Sequence, residues 1–159
     1  QFLNLAGGNN PVLNLQRGFR VTSHSSASST VLYSNNRVEG ANIGFQWLSA
    51  QNFAGHQPVK LTSNSILNNA TGVLVDSSGS ADLSFNRIVG NSAAGVNNLT
   101  AGTVTAENNW WGCNYGPGAG GAGCVGTANG VLGTVDANPW LTLRTSASPT
   151  TILTNGVSS

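Results

Sequence analysis

Five carboxylates, Glu39, Asp76, Asp82, Glu107 and Asp136, are the acids this chain offers for chemistry. Glycoside hydrolysis needs two carboxyl groups held a few ångströms apart, and calcium-assisted chemistry needs several oxygen ligands in one cluster. Here the acids are dispersed, with no adjacent pair and no acid-x-acid triplet, and Lys60 has no acidic neighbour in sequence. His24 and His56 stand at no metal-ligand spacing to each other or to the thiols. The expectation is therefore no catalytic residue, no metal site and no cofactor.

Two cysteines, Cys113 and Cys124, bracket the glycine-rich run NYGPGAGGAG. Closing such a flexible span with a disulfide removes chain entropy worth about 2 to 3 kcal/mol from the unfolded state. The pairing implies an oxidising, extracytoplasmic compartment. Two free thiols are the alternative.

These groups must be positioned by a repeat. Units open at Asn64 (NSILNNATGVLVDSSGSADLSF), Asn86 (NRIVGNSAAGVNNLTAGTVTAE) and Asn108 (NNWWGCNYGP), 22 residues apart, with a 28-residue unit from Asn36 and a weaker one from Asn14. Ile66, Ile88 and Trp110 each follow their Asn by two, and Gly44, Gly72 and Gly116 by eight. Ala94 breaks the second series, with Gly95 directly after it. Segments such as GVLVD, ADLSF and GTVTAE alternate with period two and are rich in β-branched residues, the strand signal, and almost none has helical spacing. A unit this short suits one coil of a solenoid whose coils stack as parallel strands at about 4.8 Å. The fold expected is all-β: a right-handed parallel β-helix of about four to five coils over 1–143, with a Trp-rich C-terminal cap, followed by an extended Ser/Thr-rich tail over 144–159.

In that arrangement Asn36, Asn64, Asn86 and Asn108 occupy one corner of successive coils. Each side-chain amide then donates to one neighbour and accepts from the other, forming a ladder. Arg37 and Arg87 each follow a ladder Asn by one and share a face, on coils that are not adjacent. Adjacent residues of a strand point to opposite faces, so Trp110, in a column of isoleucines, is expected inside with Trp140 as cap core. Trp111 is then left outside, with Tyr115, as the candidate contact for a glycan or a partner, because indole faces stack on sugar rings.

Composition narrows the partners. Charged residues make up 7% of the chain, with 6 Lys+Arg against 5 Asp+Glu and a net charge of +1. Six scattered basic residues form no phosphate-binding stripe, which argues against nucleic acid. No apolar run approaches the roughly 20 residues of a membrane span. The lack of an initiator Met and of a signal peptide points to a processed product or a fragment of a longer precursor.

The units NSILNN and NRIVGN, ending in ENNWWGCNYGPG and then TVDANPWL, resemble the final coils of bacterial secreted right-handed β-helix proteins of pectate-lyase-like architecture, over roughly residues 30 to 143. The resemblance implies that Trp110, Trp111 and Trp140 close the last coil. That family includes lyases, hydrolases, adhesins and structural surface proteins, so it selects no activity. The tail LRTSASPTTILTNGVSS is similar to the opening strand of an invasin-type immunoglobulin-like domain; a linker or a strand donated to a neighbour are the other readings. The function expected is a non-catalytic structural or adhesive module of an extracellular or cell-surface assembly, self-associating through its terminal segments or docking on other domains of its precursor. The alternative is a carbohydrate-binding or polysaccharide-degrading module cut from a larger secreted enzyme.

Overall fold

The structure, a computed structural model, describes residues 16–21, 31–49, 58–77, 80–120, 124, 129–144 and 146. The remaining positions, among them His24, His56 and nearly all of the tail, lie outside the described residues. The described part is all-β, and its strands form three parallel sheets. The first sheet holds β1 (Arg17–Val21), β4 (Ile43–Ser49), β7 (Thr71–Ser77), β10 (Ala94–Asn98) and β12 (Val131–Leu132) in that order. The second runs β2 (Leu32–Ser34), β5 (Val59–Thr62), β8 (Ala81–Ser84), β11 (Val104–Thr105) and β13 (Val135–Asp136). The third holds β3 (Arg37–Glu39), β6 (Ser65–Leu67) and β9 (Arg87–Val89), continued by a single parallel bridge from Arg87 to Trp110.

The chain visits the first, second and third sheets in turn, so each strand pairs with the strand one circuit later. Lys60 lies beside Asp82 and Ile66 beside Ile88, while the first circuits are longer, with Arg37 beside Ser65. Strands of two to seven residues suffice because the inner ones are paired on both sides within the stack.

Alternation places one apolar set inside. Val38, Ile66 and Ile88 line the third sheet, Leu61 and Leu83 the second, and Phe45, Val73 and Val96 the first. Side chains of one column touch at the rung spacing: the Phe19 and Phe45 rings stack with centroids 4.8 Å apart and planes within 9°. The columns narrow from aromatic to Val along the stack, and the last circuit's Val131, Val135, Ala137 and Trp140 pack partly buried against the core.

Two corners make the circuit close. Between the second and third sheets, Asn35, Ser63, Phe85 and Asn108 all adopt positive φ, at 57°, 57°, 57° and 56°. Between the third and first sheets, Gly40, Asn68, Gly90 and Gly112 do the same. A single left-handed residue turns the chain sharply without an extra loop.

Candidate functional site

The residue after each left-handed corner position carries the ladder. At the first corner, the backbone N–H and Nδ2 of Asn36 both donate to Asn64 Oδ1 at 3.0 Å. Asn64 donates the same way to Asn86 Oδ1 at 2.9 Å, and Asn86 to Asn109 Oδ1 at 2.8 and 2.9 Å. Each Nδ2 has a second proton, which reaches back a rung: Asn64 to Tyr33 O, Asn86 to Leu61 O, Asn109 to Leu83 O. One side chain thus ties three consecutive rungs and places both of its own amide protons in hydrogen bonds. Asn109, not Asn108, completes this ladder; Asn108 takes the left-handed position before it.

A second ladder, which the repeat alone did not reveal, runs along the other corner. Ala41 N–H donates to Asn69 Oδ1, Asn69 to Asn91 Oδ1 and Asn91 to Asn129 Oδ1, with Nδ2 atoms again reaching back to Val38, Ile66 and Ile88 carbonyls. Beside it stand Gly18, Gly44, Gly72, Gly95 and Gly130, in register across the first sheet. At Gly18, Gly44, Gly72 and Gly95 glycine is required because the chain is approached closely: a Cβ on Gly72 would lie 2.5 Å from Gly95 O and 3.0 Å from Asn91 Nδ2. Gly116, the third glycine of the sequence series, is not part of this column; it sits at positive φ against Trp140.

The same one-residue shift reverses the expected roles of the tryptophans. Trp110 pairs with Arg87 on the outer face and is half-buried, whereas Trp111 is 2% exposed within the core. Trp111 therefore cannot contact a glycan or a partner, and Trp110 is not the inward cap residue. Tyr115 is 69% exposed. Trp140 packs against the core and donates from Nε1 to Asn114 O at 3.1 Å.

Cys113 and Cys124 form a disulfide with Cα atoms 4.6 Å apart. Cys113 follows Gly112 where earlier coils place Asn69 and Asn91, so the chain leaves the stack at this point. It returns at Asn129, which donates to Trp111 O and resumes the second ladder. The disulfide ties off the excursion.

Stacking does bring charges together that sequence separates. Lys60 and Asp82 are cross-strand neighbours on the outer face of the second sheet, with Thr105 and then Asp136 beyond them. On the third sheet Arg37 and Arg87 flank Ser65 on one face, and Arg37 pairs with Glu39. The Asn68 amide, donating to Glu39 at 2.9 Å, holds that carboxyl below its ordinary range, helped by the Arg37 and Arg87 guanidiniums and opposed by slight burial. Among the described residues no three His, Cys, Asp or Glu side chains gather into a metal-binding group. A polar surface groove of about 420 Å³ follows the second corner, lined by Gly40, Asn42, Asn68, Ala70, Gly90 and Ser92 among others.

No protein-family model, curated protein or solved structure matches this chain.

Proposed function

We propose that the chain is a right-handed parallel β-helix acting as a rigid structural or adhesive module of a bacterial extracellular or cell-surface assembly. Right-handed crossing is the rule for parallel strands joined within one sheet. The observation that carries the functional reading is the pair of asparagine ladders with the glycine column, which bind neighbouring rungs through side chains as well as strands. Such construction resists bending and local opening, properties of a spacer. The disulfide accords with an oxidising compartment. A net charge of +1 leaves little repulsion between copies, which favours self-association. The terminal segments assigned to that association, and the immunoglobulin-like reading of the tail, fall outside the described residues.

A second reading, glycan binding, draws on the exposed Tyr115 and the polar groove along the second corner. Electron microscopy of native material, with mass spectrometry of intact chain ends and a polysaccharide turnover assay, separates the two. The structural module gives oligomers or filaments and no turnover. A monomer that cleaves a polysaccharide overturns it.

A further inference from the structure

Phe85 is out of place at its corner. The equivalent residues of the other coils are Asn35, Ser63 and Asn108, small polar types that tolerate or compensate the left-handed conformation. Phe85 adopts φ 57° with a bulky side chain and leaves its ring 59% exposed. Strain retained at an aromatic residue that stays largely exposed points to a contact made outside the chain.

Its flanks say what kind of contact. On the same coil Asp82 faces outward from β8 on one side of the corner, and Arg87 faces outward from β9 on the other. The single ion pair among the described residues joins Arg37 to Glu39, and Arg87 acts on that same carboxylate only at longer range, making no ion pair within contact distance. Read around the corner, the coil presents an acid, an aromatic apex and a base. That order is self-complementary: a two-fold axis parallel to the stack sets Phe85 against Phe85 and Arg87 against Asp82 of the facing copy, twice. Aromatic and arginine side chains are the types that anchor protein interfaces.

Resting on the self-association proposed above, we infer that two copies of this chain pair side by side, stacks parallel, through the Phe85 corner. This places association on the flank of the solenoid, not on its ends. Ionic attraction steers the pairing and the apposed rings exclude water.

Sedimentation equilibrium of the full chain tests it, with thermal melts of each variant. Phe85→Asn uses the residue already present at two equivalent corners, and Arg87 is exposed, so neither Phe85→Asn nor Arg87→Asp threatens the fold. The wild type should dimerise more tightly at low salt. Phe85→Asn should melt higher while losing dimerisation, and Arg87→Asp and Asp82→Arg should each weaken it about tenfold or more, with the double reversal restoring most of the loss. If the wild type associates but Phe85→Asn and Arg87→Asp leave the constant unchanged, the corner is not the interface and self-association stands by another route. A wild type that is monomeric at every concentration overturns both.

Discussion

Asparagine does work at these corners that no other side chain can. It must present one acceptor to two donors of the rung before, and two donors to carbonyl oxygens on either side, in the plane of a single amide. Asp lacks the donors, and Gln is longer by a methylene. At 1% exposure Asn86 meets all of these demands inside the protein. Replacing it by Ala strands the Asn64 N–H and Nδ2 and the Leu61 carbonyl, so Asn86→Ala should cost about 3 kcal/mol or more. Asn108→Ala should cost only about 1 kcal/mol, the price of a left-handed alanine. Urea denaturation of the two variants measures both. Equal costs would mean that Asn108 shares the ladder.

The elements are held by register, and one residue decides it. The coil from Asn64 to Asn86 spans 22 residues, and the next, from Asn86 to Asn109, spans 23. The extra residue sits at Ala93, where the N–H groups of Ala93 and Ala94 both donate to Ala70 O. Counting 22 residues onward therefore lands on Asn108, places Trp110 inside and aligns Ala94 with glycines. The signal was present in Gly95 standing one place late, but a single irregular position does not show that every later residue shifts with it. The strands, their parallel stacking and the existence of a first ladder were legible, because period-two alternation and a 22-residue repeat state them directly. The second ladder was not. Asn69 and Asn91 are one circuit apart, but Asn129 follows Asn91 by 38 residues, the excursion between them hiding the period. Register also governs the glycines. Gly72→Ala should destabilise by about 3 kcal/mol, since its Cβ meets backbone oxygen at 2.5 Å, whereas Gly40→Ala, in open space, should cost about 1 kcal/mol from its positive φ alone. Thermal denaturation of the two variants distinguishes a steric wall from a conformational preference.

For the whole molecule, stability should grade along the stack. β12 and β13 are two residues long, and they follow an excursion tied by one disulfide. Reduction should lower global stability by about 2 to 3 kcal/mol. Amide hydrogen exchange should show protection lost first at Val131 and Val135, with β5 to β9 holding longest. Loss spread evenly over all rungs would mean that the last circuit does not depend on the disulfide. The stack itself is most directly tested by NMR of the asparagine side chains. The Nδ2 protons of Asn64, Asn86, Asn69 and Asn91 should resist exchange with solvent and show contacts to the side chain of the Asn one circuit onward in the sequence. Rapid exchange of those protons, or contacts only to sequence neighbours, would contradict the ladders and the parallel stack they hold.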